Sequence, residues 1–399
     1  MSRPFKMLMI LSAAELMAMT VWFSVSAVGP ALQLEYGFTT EQVAELVIAL
    51  QCGFVVGTLL IAFANLADVF NSRHLVGLSA VLAAILNAAF LWTGEAFVPA
   101  LLLRFGTGFA LAGVYPPGMK IMAGWFKSGR GFAIGTLIGA LTIGSALPHW
   151  VGAMLNEQWR LTIAVTSGLS LAAALLVHFF LEDGPYDVPA RRFNLGYAWT
   201  VFKYRPTRLA YFGYFGHMWE LYAMWTWMPV FLASALAANG TTTYSAGFGA
   251  FLVIASGALG CILYGLWADR VGRSISTISS MAISGLCCLA VGFLQHVHPI
   301  WLLLICLVWG LTVVADSAQF SAAVSELCEP EYIGTALTLQ TSVGFLITMV
   351  SIRLVPVIQD AAGWGLAFAM LGLGPLAGIL AMTLLYKTPE AVKMASGNR

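Results

Sequence analysis

The chain has 399 residues, of which 60% are hydrophobic and 9% charged, and its net charge is +1. A soluble domain carries about 25% charged residues, so a water-facing surface is excluded and lipid is the remaining solvent. The near-zero net charge also excludes a nucleic-acid partner. Apolar runs of about 20 residues cross a bilayer core. In chain order the first six lie near 7–32, 42–67, 75–94, 98–123, 130–152 and 161–181. Six more lie near 209–235, 245–267, 274–294, 299–325, 332–357 and 363–386. Runs of this length without alternation suit helices and exclude long strands. The fold class expected is an all-α membrane protein of twelve transmembrane helices.

The first run is flanked by Arg3 and Lys6, as a signal peptide would be. It is longer than such a peptide's apolar core and has a copy later in the chain, so it is read as a span. With the amino terminus inside, fifteen of the 19 Lys and Arg fall on the cytoplasmic side and only Arg160 outside. Both termini are therefore expected in the cytoplasm, in a cell (inner) membrane. The longest loop, 182–206, holds clustered charge and three prolines. It separates an expected bundle at 1–181 from a second at 207–399. The six cysteines form no CxxC pair and read as small core residues rather than a disulfide or metal frame.

The two halves repeat. Glu15-Leu16-Met17-Ala18-Met19 in the first span returns as Glu220-Leu221-Tyr222-Ala223-Met224 in the seventh, and Trp22 and Trp227 each follow their glutamate by seven residues. A second repeat lies in the turn after the second span of each half. The later copy reads Gly265-Leu266-Trp267-Ala268-Asp269-Arg270-Val271-Gly272-Arg273. The earlier reads Ala64-Asn65-Leu66-Ala67-Asp68-Val69-Phe70-Asn71-Ser72-Arg73.

This turn resembles the G-x-L-A-D-R-x-G-R motif of the major facilitator superfamily. Ala64 and Asn71 replace the two glycines in the first copy. Leu101-Leu102-Leu103-Arg104 with Gly108 is similar to that family's fourth-helix arginine motif, and Trp125-Phe126 before Arg130-Gly131 to its turn into the fifth helix. A drug antiporter of the family would carry a Gly-Pro pair in that helix. Here Gly144 is followed by Ser145, with Pro148 further on. The resemblance implies two pseudo-symmetric six-helix bundles and alternating access, with spans one, four, seven and ten lining a central cavity.

Those four spans carry Glu15, Arg104, His217, Glu220 and Asp316. An ionisable group at mid-bilayer costs about 2.5–3.5 kcal/mol on insertion scales, so each should face a cavity or a partner. Glu15 and Glu220 have two readings: braces hydrogen-bonded to a neighbouring helix, or proton sites, since desolvation favours a carboxyl that holds and releases a proton. Asp316 has the same two. His217 shares a helix face with Glu220, which allows a proton relay or a structural histidine. Arg104, a few residues into its span, would bind an anionic solute or pair with an acid. Trp22, Tyr222 and Trp227 are aromatic candidates for the cavity wall. Asp68, Arg73, Asp269, Arg270, Gly272, Arg273 and Arg130 lie at cytoplasmic helix ends and are read as gate residues rather than solute ligands.

The function expected is a secondary active transporter for a small organic solute, driven by protons, with no enzymatic activity, cofactor or metal, acting as a monomer in the bilayer. The alternatives are a nitrate/nitrite-type anion porter, a drug or metabolite exporter, a copper importer through methionine pairs such as Met224 and Met228, and a transporter-like receptor. The nitrate reading lacks the arginines it would need in spans two and eight.

Overall fold

The structure, a computed structural model, describes residues 2–64, 66, 70–126, 130–156, 158–186, 195–329 and 333–399, with the backbone alone at 130, 131 and 195. All regular structure among the described residues is helical. Eleven helical stretches are long and apolar enough to cross a membrane. The last, Ile333–Tyr386, contains Gly363 at φ 79°, a left-handed residue that no helix continues through. It is two spans, and the total is twelve. Large apolar side chains stand exposed along the helices, such as Leu78, Leu102, Leu286 and Leu376, as expected where the solvent is hydrocarbon.

Helix ends follow local chemistry. Thr39 and Gln42 form a reciprocal capping box at the start of span two, Thr40–Phe63. Pro206 and Pro299 sit in the first turns of spans seven, Arg205–Ala238, and ten, where a missing N–H costs nothing. The loop read between the bundles contains a further helix, Leu195–Lys203, so span seven opens at Arg205, a few residues earlier than its apolar run suggests.

Three spans that read as continuous are interrupted. Span one is Arg3–Met19 and Ser24–Tyr36, with Thr20 to Phe23 in a turn. Span four is Phe97–Leu111 and Tyr115–Trp125, and span ten is Pro299–Val313 and Ser317–Leu327. Spans four and ten tighten through i→i+3 bonds, such as Val114 N–H to the Leu111 carbonyl at 3.0 Å and Ser317 N–H to the Val314 carbonyl at 3.1 Å. These bonds pair part of the backbone at each break, and in span ten the Thr312 and Val314 carbonyls also accept from Ser280 of span nine and Cys261 of span eight.

Contacts divide the chain into two compact units, Met1–Ala190 and Arg191–Arg399. In the first, span one packs on spans five (Arg130–Met154) and six (Trp159–Phe180). Span four packs on span two, and span three (Ser72–Ala89) on spans four and six. In the second, span seven packs on eleven and twelve. Span ten packs on span eight (Ala246–Val271), and span nine (Arg273–Ala290) on ten and twelve. The second pattern is the first advanced by six spans, which is the repeat seen in sequence carried into packing.

Glycine sets the closest of these contacts. A Cβ at Gly108 would lie 1.8 Å from the Leu50 carbonyl oxygen, and one at Gly53 would lie 1.8 Å from that of Phe105. Gly310 against Val253 and Gly260 against Leu311 repeat the arrangement in the second unit. Gly144 likewise lets span five approach the Leu16 carbonyl of span one. Gly108→Ala should therefore lower the melting temperature, by about 1–3 kcal/mol of overpacking. Gly168→Ala, where nothing lies within 4 Å, should not. Equal melting of the two variants would refute the close approach of spans two and four.

Candidate functional site

The turn at Thr20 to Phe23 exposes carbonyls that a continuous helix would have used, and lipid offers no donor to them. Arg104 supplies the donors. Its Nη2 donates to the carbonyls of Trp22 at 2.8 Å and Val21 at 3.2 Å. Its Nη1 donates to Asn87 Oδ1 at 3.0 Å and Ser24 Oγ at 3.3 Å. The side chain is fully buried. The Ser24 hydroxyl donates in turn to Asn87, whose amide donates to Ser167 Oγ at 2.9 Å and to Thr166 Oγ1 at 3.3 Å. Four of the six spans of the first unit, one, three, four and six, are joined through side chains in this way, while span two packs closely on span four at Gly108. No acid pairs with Arg104 among the described residues, so the ion pair expected for it is replaced by a neutral network that braces the broken helix.

Glu15 lies one turn before that break and is buried. Neither carboxyl oxygen finds a hydrogen-bond partner among the described residues. Its Oε2 faces Gly118 on the second segment of span four, where a Cβ would come within 3.5 Å.

Glu220, its repeat partner, is equally buried but fully engaged. Trp309 Nε1 donates to its Oε1 at 2.6 Å, the Cys288 thiol to the same oxygen at 3.1 Å, and the Ser284 hydroxyl to Oε2 at 3.0 Å. Spans seven, nine and ten therefore meet at one carboxyl group. The two glutamates occupy matching places in sequence but unlike surroundings. Cys288, read from sequence as a small core residue, is one of the three donors.

His217, one turn earlier on the same helix, does not turn to Glu220. Its Nδ1 lies 2.9 Å from Asp316 Oδ1, both side chains being almost fully buried. That is ion-pair distance without an aligned hydrogen bond. His217 Nε2 has no partner among the described residues. Asp316 occupies the interruption of span ten and precedes the first residue of the segment Ser317–Leu327. Its carboxylate is thus placed at a helix amino terminus, where negative charge is favoured. The rings of Tyr214 and Phe320 flank the imidazole at centroid distances of 5.8 and 5.6 Å.

The aromatic candidates are buried within their own units. Trp22 meets Phe54 edge-on at 5.0 Å, Tyr222 packs on Trp225 and Phe345, and Trp227 Nε1 donates to the Ile352 carbonyl at 3.0 Å.

At the motif turn of the second unit, Arg273 Nη1 reaches Asp269 Oδ1 at 2.9 Å and Gln319 Oε1 at 2.8 Å, while Nη2 reaches Glu326 Oε1 at 3.1 Å. Gly272, at φ 97°, makes the left-handed turn into span nine that a side chain would resist. Arg270 is exposed. In the degenerate first copy Asn71 replaces that glycine with an ordinary φ of −59° and caps span three through its side chain. Arg73 there donates to the Leu181 carbonyl at 2.8 Å. Asp68 and the Arg130 side chain lie outside the described residues. Asn87, Ser24, Trp309, Ser284 and Glu326 were not singled out by sequence. The signal available for Asn87 was an amide inside an apolar run.

The family model described as Major Facilitator Superfamily matches residues 11–352 and, in a second alignment, residues 210–399. Among solved structures, a D-xylose-proton symporter is 15% identical, covers 98% of this chain and 99% of its own, and superposes with a TM-score of 0.78. A mutant of the nucleoside transporter NupG is 16% identical, covers 96% and 100%, and gives a TM-score of 0.73. Among curated proteins none matches the sequence.

The bracing role of Arg104 depends on a planar fork that satisfies acceptors on both sides, which a lysine ammonium cannot copy. Arg104→Lys should therefore lower the melting temperature although the charge remains, by about 1–3 kcal/mol for each buried acceptor left without a donor. Unchanged melting would remove the bracing role and return Arg104 to the solute.

Proposed function

Because the chain belongs to the major facilitator superfamily and is a multi-pass membrane transporter, we propose that it moves a small organic solute by alternating access, with protons as the coupling ion. The observation that carries the coupling is the set of buried ionisable groups on spans one, seven and ten: Glu15, Glu220 and the His217–Asp316 contact. Each is costly in lipid, and an arginine sits nearby only in the first unit, where it is committed to carbonyls. The mid-span acids Glu15, Glu220 and Asp316 outnumber Arg104, so a neutral or cationic solute suits the chain better than a di-anion. A D-xylose-proton symporter and a nucleoside transporter share the fold. At their level of identity the solute class rests on this chain's own residues.

Within this reading the bundles at 1–181 and 207–399 rock about a midplane site, and 182–206 is the connection between them. Trp22, Tyr222 and Trp227 stiffen the helices that line that site. The Asp269–Arg273 turn is the gate, forming in one access state and breaking in the other. The basic residues place both termini on the cytoplasmic side of the cell membrane, and the chain works as a monomer.

Glu15→Gln and Glu220→Gln keep size but cannot titrate. In proteoliposomes each should abolish accumulation driven by a pH gradient while solute exchange at equal proton potential survives. Glu220→Ala should in addition lower stability, since Trp309, Ser284 and Cys288 would lose their acceptor, at about 1–3 kcal/mol for a buried group left unpaired. Full gradient-driven uptake in both glutamine variants would leave the carboxyls as braces and overturn proton coupling through them.

A further inference from the structure

After span twelve the chain does not leave the protein. Pro389–Gly397 forms tight turns interrupted at Met394 to Ser396 and lies against the second segment of span ten, with Ala391 and Met394 fully buried and Ala395 nearly so. The backbone N–H of Ala395 donates to Glu326 Oε2 at 2.9 Å. The other oxygen of that carboxylate is the one that accepts from Arg273. Asn398 Nδ2 donates to the Asp269 carbonyl at 3.2 Å, and the Arg399 carbonyl accepts from Ser274 N–H at 3.3 Å. Three contacts thus fall on three helix ends: span eight at Asp269, span nine at Ser274 and span ten at Glu326. Ala395 and Ser396 hold φ of 46° and 55°, left-handed values that side chains resist. A free tail would relax from them, so the docked contacts must outweigh that strain.

We propose that residues 389–399 are a latch that positions Arg273: by gripping Asp269, Ser274 and Glu326 together they hold the gate closed, and the gate opens when the tail lets go. The proposal rests on the reading of the Asp269–Arg273 turn as the gate. Any motion that separates the ends of spans eight, nine and ten must break the tail contacts first or carry the tail along with only one of them. Glu326 is the hub, because its two oxygens serve Arg273 and the tail at the same time. Opposite substitutions follow from the geometry. Met394→Glu puts a charge into a buried place, and Ala395→Pro removes the N–H that Glu326 accepts and forbids the left-handed φ. Both undock the tail. Ala395→Gly keeps the N–H and relieves the strain, so it tightens the latch.

Hydrogen exchange of the full-length protein reports docking, and alkylation of Cys328, partly buried two residues beyond Glu326, reports opening. Melting temperature establishes that each variant is folded. In the parent, segments 272–276 and 389–399 should exchange slowly. Met394→Glu and Ala395→Pro should speed exchange in both segments and raise the alkylation rate of Cys328 several-fold, as Asp269→Asn should also do if the turn is the gate. Ala395→Gly should slow exchange and alkylation below the parent. Undocking without faster alkylation, while Asp269→Asn still accelerates it, would overturn the latch and leave the gate. No acceleration by Asp269→Asn either would overturn both, as fast exchange of 389–399 in the parent would overturn the latch alone.

Discussion

In hydrocarbon a backbone carbonyl has no water to turn to, and the first unit is organised around that constraint. Span one breaks between Met19 and Ser24, and the carbonyls of Val21 and Trp22 find their donors on a guanidinium that comes from span four. Asn87 and Ser24 saturate the other side of the fork, and Asn87 extends the network to span six. Arg104 has no carboxylate beside it among the described residues, yet every acceptor it meets is a dipole pointed at it. The close approach of Gly108 to Leu50 holds its helix at the depth this geometry requires. Spans four and ten meet the same constraint by tightening their own turns. Span ten also takes outside donors, the Ser280 hydroxyl on its Thr312 carbonyl at 2.6 Å and the Cys261 thiol on its Val314 carbonyl at 3.5 Å. In span one the outside donor is a buried guanidinium, which ties the burial of Arg104 to the interruption.

The second unit solves a different problem with the same topology. Span seven runs unbroken through its glutamate, and the carboxyl of Glu220 is met by donors from spans nine and ten. One turn away His217 finds Asp316 at the interruption of span ten. The duplicated scaffold thus places one polar centre in each half. The first is built on a cation and amides, the second on two acids, a histidine and their donors. The gate turns have diverged in parallel. Arg273 gathers Asp269, Gln319 and Glu326, whereas Arg73 donates to the Leu181 carbonyl among the described residues. The backbone differs as well: Gly272 makes a left-handed turn that Asn71 does not adopt.

Much of this could be read before any coordinates. Apolar length gave the twelve spans, and the boundary read between 357 and 363 falls at Gly363 in the structure. The E-L-x-A-M repeat and the partial repeat of the A-D turn implied two halves, and packing repeats accordingly. The helix breaks were less visible. Gly113 marks the one in span four, but Thr20-Val21-Trp22-Phe23 is apolar and carries no breaker, because what stabilises it is an arginine more than eighty residues away. The same distance in sequence hid the His217–Asp316 contact, so sequence offers the histidine either a relay with its helical neighbour Glu220 or a structural role without a named partner. The partner of Cys288 was hidden for a related reason: the residue is small and buried, as core cysteines are, and its thiol also points at a carboxyl supplied by another helix. Periodicity reports which face of a helix is turned inward, not which distant residue waits there.

The central claim is that carboxyls inside the spans change protonation rather than only tie helices together. Infrared titration of the purified protein in bilayers tests it without knowledge of the solute, since a protonated carboxyl has a C=O stretch separate from that of a carboxylate. The account predicts a carboxyl band, resistant to rapid deuterium exchange, that changes with pH and loses intensity when Glu15 or Glu220 is replaced by glutamine. A titration in which no buried carboxyl band responds to pH, or in which the band is untouched by both substitutions, would contradict it.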